Sequence, residues 1–231
     1  MAGVSYNGAM TTPGPLDGFI DKWRARWPEW AIAEAFLPAA QRPRAAAWFA
    51  LLQEFRDAAW SGAEPAPGLA KLAWWQEELR GWSRGARRHP LGEALQRMEA
   101  DWELLGRALA ALPATRDADG GRDDVAALRT WTVGVLACEA DLFAGAEPPP
   151  DAVAACADAQ RVERALARGD LDAALDQQPA LDRPAAALTR PRRLHQAVLR
   201  ERLRLTRADD PGLRRVPPLR MLWAGWRAAR G

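Results

Sequence analysis

The stretch Trp48-Phe49-Ala50-Leu51-Leu52-Gln53-Glu54-Phe55-Arg56-Asp57-Ala58-Ala59-Trp60 decides the fold. Its apolar residues Trp48, Leu51, Leu52, Phe55 and Ala59 recur at steps of three and four, which sets them on one side of an α-helix. The same step runs outward in both directions. Upstream it takes in Phe19, Ile20, Trp23, Trp27 and Trp30, with Pro28 placed to start a second short helix. Downstream, Leu69, Leu72, Trp75, Leu79 and Trp82 form one stripe. Leu91, Leu95, Met98, Trp102, Leu105, Leu109 and Leu112 form another, whose strict alternation of four and three predicts a continuous helix ending at Pro113.

A polar loop from Ala114 to Arg122 follows. Asp123 or Asp124 can cap the next helix, whose buried face is Leu128, Trp131, Val135, Cys138 and Leu142. Pro148-Pro149-Pro150 breaks the chain, Ala152 to Arg168 is helical by propensity, and Gly169 suits its stop. Leu194, Val198, Leu199, Leu203 and Leu205 mark a long late helix, and Pro217-Pro218 opens a last one. No sustained period-two run of β-branched residues occurs. The expectation is an all-α protein with one helical domain over residues 15–231, preceded by a short flexible leader over residues 1–14.

Composition sets the limits. The 231 residues, 48% of them hydrophobic, are enough for one sizeable core. No window approaches the roughly 18 uninterrupted apolar residues of a membrane span, and no basic start followed by an apolar run suggests a signal peptide. Cys138 and Cys156 both fall in helical patterns, and with two histidines in the chain a Cys/His zinc site is not expected. A reducing cytoplasm is the expected compartment, with attachment to the inner face of the membrane as a variant of it. The net charge of +2 hides an asymmetry: from Arg183 onward 13 arginines face Glu201, Asp209 and Asp210 alone. A basic end over an acidic body points to an anionic partner, or to one half of the protein neutralising the other.

Phe36-Leu37-Pro38, Arg42 and the Trp48–Phe55 run are followed by Leu69-Ala70-Lys71-Leu72-Ala73-Trp74-Trp75-Gln76-Glu77-Glu78-Leu79, then His89-Pro90-Leu91 and Ala94-Leu95. In that order these segments resemble squalene/phytoene synthases and their non-catalytic relatives. The ending, Val216-Pro217-Pro218-Leu219-Arg220 to Trp223-Ala224-Gly225-Trp226-Arg227, also resembles the end of some bacterial members. The resemblance implies a terpenoid synthase-like helical bundle around a deep apolar pocket. In active members, two aspartate-rich motifs hold Mg²⁺ ions that draw off diphosphate while two isoprenyl diphosphates join head to head. Such a leaving group needs several divalent cations, and those need many clustered carboxylate oxygens.

The chain departs from that pattern where the chemistry lies. The first motif should open after Phe55, but Arg56-Asp57-Ala58-Ala59-Trp60 keeps one aspartate. The second should follow the triple proline, where Ala157-Asp158-Ala159-Gln160-Arg161-Val162-Glu163-Arg164 stands instead. Glu54 and Asp57, beside the small residues Ala47, Ala50 and Ala58, are the candidate catalytic groups. Arg42, Ala50, Glu54, Asp57, Trp74 and Trp75 are the candidate ligand-binding set. Asp57 with the i, i+4 pair Asp172 and Asp176 are candidate metal ligands should Mg²⁺ be used. Lys71 is expected to form exposed ion pairs with Glu77 and Glu78, and His89 to be structural.

Three functions stay open at this point. One is a diverged, non-catalytic relative that binds an isoprenoid or other lipid or acts as an assembly factor, with no cofactor expected. A second is an active Mg²⁺-dependent prenyltransferase. The third is an interaction module whose basic C-terminal helices meet a protein partner or a membrane surface. Without an aromatic–basic recognition motif, nucleic acid is not an expected partner.

Overall fold

The computed structural model describes residues 14–117, 122–182 and 186–230, and all the regular structure among them is helical. The leader, apart from Gly14, lies outside the described residues, as do part of the loop after Pro113 and the side chain of Asp123. The described α-helices are α1 (Pro15–Arg26), α2 (Trp30–Ala33), α3 (Arg42–Trp60), α4 (Pro65–Trp82), α5 (Gly92–Leu95), α6 (Trp102–Leu109), α7 (Arg122–Phe143), α8 (Pro150–Ala167), α9 (Leu171–Asp176), α10 (Arg190–Leu205) and α11 (Pro218–Arg230).

Helix α3 is the axis of the bundle. Every residue from Ala45 to Arg56 is buried, so this helix is covered on all sides, as a core helix is. Ala45, Ala46 and Ala47 keep its first turns thin, and α1, α4, α5 and α8 all pack against it. One core cluster joins α3 to residues of α1, α4, α6, α7, α8, α10 and α11. Trp23, Trp30, Trp48, Trp75, Trp82 and Trp131 are fully buried in it. Several pack edge-on, as Phe55 does against Trp75 (centroids 5.2 Å apart) and Trp131 (5.8 Å), the arrangement that aromatic quadrupoles favour.

Two expectations need correction. The stripe from Leu91 to Leu112 is not one helix: it divides into α5, α6 and a 3-10 turn at Leu112–Thr115. The Asp101 side chain accepts a hydrogen bond from the Leu104 amide at 2.7 Å, and so caps a new helix where the old one would have continued. The apolar residues still reach the core, because a short break preserves the side they face. In addition, α7 starts at Arg122, and Asp124 is buried inside its first turn. Its carboxylate takes Arg164 of α8 at 2.5 Å rather than capping the helix.

The late helices form as expected. Helix α8 stops before Gly169, whose φ of +75° favours glycine. Helix α11 lies against α10 and α2 through Met221, Ala224 and Gly225. No helix among the described residues is long and apolar enough to cross a membrane.

Candidate functional site

The two segments where the aspartate-rich motifs were expected face each other across the bundle, and what joins them is an ion pair. Arg56 of α3, 3% exposed, reaches Glu163 of α8 at 2.7 Å. His195 of α10 stands behind them, its Nδ1 at 3.5 Å from the Glu163 carboxylate. The imidazole is stacked on Phe49 at 4.6 Å and tilted against Trp27 at 4.5 Å. On the far side, Arg192 of α10 pairs with Glu139 of α7, which also accepts the Trp48 indole N–H at 2.7 Å. Four helices, α3, α7, α8 and α10, therefore meet around a buried set of two arginines, two glutamates and a histidine.

Electrostatics in this set follow from dryness. Burial pushes the Glu163 carboxyl up from its ordinary 4.5, against the pull of Arg56 and Arg192. Burial and the three arginines Arg56, Arg192 and Arg202 hold His195 well below 6.5, so the ring is neutral at pH 7. Burial disfavours the Arg192 charge, but Glu139 outweighs it and keeps the guanidinium protonated. Cys156, nearby and free, has its thiol pushed up to about 11 by burial, and burial raises Cys138 as well. Neither is a poised nucleophile. The Arg56 Nε and both His195 nitrogens have no hydrogen-bond partner.

Glu54 and Asp57 lie one turn apart on α3 and are both engaged by cations. Glu54 accepts Lys22 of α1 at 2.9 Å on one oxygen and Lys71 of α4 at 2.6 Å on the other. Burial alone would raise its carboxyl, but these two ammonium groups hold it below 4.5. Asp57 accepts Arg26 at 2.7 Å and Gln53 at 2.8 Å. Lys71 is thus drawn to the buried Glu54 rather than to Glu77 and Glu78, as the sequence pattern suggested. Glu77 pairs with Arg80 instead. Glu78 turns inward at 1% exposure, accepting the amides of Arg88 and His89 at 2.6 and 2.8 Å and the Trp82 indole at 2.9 Å. With the Arg88 Nε at 2.9 Å as well, this buried carboxylate faces four donors and anchors the loop.

The other candidates are dispersed. Arg42 donates to the carbonyls of Leu37 and Ala35, both at 3.2 Å, closing the turn before α3. Ala50 is packed in the core and Trp75 is fully buried. Trp74 is 37% exposed, with Arg88 over its ring at 5.3 Å. His89 fills the space between Phe19 and Trp75, each ring centroid 4.4 Å away. Asp172 and Asp176 are exposed on α9, a helix apart from Asp57. Among the described residues no group of three or more His, Cys, Asp and Glu side chains is placed to hold a metal ion.

A cleft of about 650 Å³ opens beside the central pair, with Arg26, Gln53, Arg56, Glu163, Asp172 and Arg202 among the residues lining it. Its outer wall is the chain around Leu213. Arg202 is tied there to Glu29, which also accepts the Val216 amide at 3.0 Å. Sequence reading missed the roles of Glu139, Glu163, Arg192 and His195. Their signal was a charged residue falling inside the apolar arc of α7, α8 and α10. No family model matches the chain, and neither a curated protein nor a solved structure does.

Proposed function

We propose that this chain is a diverged squalene/phytoene synthase-like protein, on a terpenoid synthase-like bundle, whose metal chemistry has given way to a binding or assembly role. The observation that carries this reading is the Arg56–Glu163 pair, which stands where the two metal-binding motifs would converge. A positive side chain there is the opposite of what a Mg²⁺ cluster requires.

The donor set around α3 does not fit magnesium. Mg²⁺ wants near-octahedral oxygens at about 2.0–2.1 Å and gives up its water reluctantly. Glu54 and Asp57 already carry Lys22, Lys71 and Arg26, and Arg56, on another side of α3, is itself paired with Glu163. A divalent ion would have to displace these groups and then sit beside their positive charges. The tryptophans add a second difficulty. Trp23, Trp30, Trp48, Trp75 and Trp131 are fully buried in the core, and a long prenyl chain among them would have to displace them. The cleft that remains has a charged floor of Arg56 and Glu163.

What such a protein retains is a rigid helical body and its surfaces, suited to holding a lipid or to supporting the assembly of other components. The test is turnover. Incubated with farnesyl or geranylgeranyl diphosphate and Mg²⁺, the protein is expected to release no pyrophosphate and to form no condensed hydrocarbon. A product that disappears in Asp57→Ala would instead establish a working prenyltransferase.

A further inference from the structure

The C-terminal helix leaves an apolar ridge uncovered. Leu219, Leu222, Trp223 and Trp226, at steps of three, one and three, are 81%, 43%, 59% and 45% exposed. The opposite side of α11 is already used: Met221 and Ala224 are buried, and Gly225 lies so close to Phe36 that a Cβ would meet its ring at 2.7 Å. The ridge is therefore left over after docking, and docking fixes it outward.

The charge beside the ridge identifies what covers it. Between α10 and α11 runs a groove of about 450 Å³ lined by Arg193, Arg200, Arg204, Arg227 and Arg230, against Asp182 and Glu201. Arg227 and Arg230 are exposed, with guanidinium groups 4.6 and 4.2 Å above the Trp223 and Trp226 rings. Arg193 is occupied by the carbonyls of Ala228 at 2.7 Å and Leu188 at 2.6 Å, so it brings positive charge to the groove that no carboxylate cancels in that geometry. From Pro218 to Arg230 the helix has no acidic residue.

We infer that α11 is a membrane-surface anchor, lying flat on an anionic phospholipid bilayer. Leu219, Leu222 and the two indoles enter the acyl boundary, about 5–10 Å deep, and Arg227 and Arg230 meet the lipid phosphates, since Arg200 and Arg204 are paired with Asp182 and Glu201. Arginine stacked on tryptophan suits this setting: the stack holds the charge at headgroup level while the ring faces inward. A guanidinium also binds phosphate through paired donors. A second copy of the chain is the competing occupant, and a dimer that the tryptophan variant breaks is the result that would reveal it.

The experiment is cosedimentation of the full chain with vesicles of phosphatidylcholine alone and of phosphatidylcholine with phosphatidylglycerol. Sedimentation equilibrium is run in parallel. Expected is binding to the anionic vesicles only, weakened by salt. The partition coefficient should fall at least tenfold in Trp223→Ser/Trp226→Ser, since both interfacial anchors are lost. In Arg227→Gln/Arg230→Gln it should fall roughly fivefold per arginine. All four side chains are exposed, so helical circular dichroism and melting temperature should be unchanged in both variants. The inference is overturned if wild type stays in the supernatant, if either variant sediments as wild type does, or if the tryptophan variant turns a dimer into a monomer.

Discussion

At the residue scale, Arg56 and Glu163 are the pair on which the account stands. A buried ion pair is costly to form, since each charge gives up several kcal/mol of hydration, and it is more costly to break from one side. Arg56→Met leaves a carboxylate buried without its nearest cation, and chemical denaturation should show a loss of about 3–5 kcal/mol at neutral pH. Arg56→Met/Glu163→Met should recover most of that. The pH dependence has a definite sign. The Glu163 carboxyl is raised above its ordinary 4.5 by burial, so its contribution favours the folded state fully below pH 4.5 and declines as pH rises through the folded value. Removing Arg56 raises it further. The gap between Arg56→Met and wild type should therefore narrow toward acid pH, and a gap that widened there would show that Glu163 is not the group exposed by the change. None of this was legible residue by residue. The sequence marked Arg56 as a departure from an acidic motif, but only the packing of α3 against α8 gives it a partner.

At the element scale, the helices were readable because three-to-four spacing follows directly from helix geometry. It placed the buried sides of α4, α7 and α10, except that Leu69 at the start of α4 is 40% exposed, and it did not show that α3 is buried on all sides. It misjudged continuity: the 91–112 stripe kept its period through a break, because a local cap at Asp101 costs the pattern nothing. Periodicity was also silent about where helices come closest. Gly68, inside α4, is a poor helix former by propensity, yet a Cβ there would sit 2.1 Å from the Ala58 carbonyl oxygen of α3. Alanine normally stabilises a helix interior by about 1 kcal/mol over glycine. Here Gly68→Ala should instead lower stability by about 1–3 kcal/mol, as a forced separation of two packed helices does. A thermal melt reads it, and a rise in melting temperature would mean that α3 and α4 are not in contact at that point.

At the scale of the whole molecule, charge is arranged to hold helices together. Lys22 and Lys71 join α1 and α4 to Glu54 of α3, Arg26 joins α1 to Asp57, Arg192 joins α10 to α7, and Arg202 joins α10 to Glu29 ahead of α2. The excess of arginine toward the C-terminus, visible in the sequence, is thus partly spent on the acidic body. Five others, Arg193, Arg200, Arg204, Arg227 and Arg230, line the groove beside α11. In the sequence, the expected likeness to prenyl synthases rests on segment order and on acidic motifs that are not met; the proposed absence of magnesium chemistry rests on ion pairs between segments that lie far apart in the chain. Its most direct test is the melting temperature of the wild-type protein in millimolar Mg²⁺, with and without a non-reactive farnesyl diphosphate analogue. Ligands that bind the folded state raise the melting temperature by mass action. With Glu54 and Asp57 already neutralised by the protein's own cations, the curves should superimpose. A rise of several degrees that needs both metal and analogue, and that Asp57→Asn abolishes, would contradict the account.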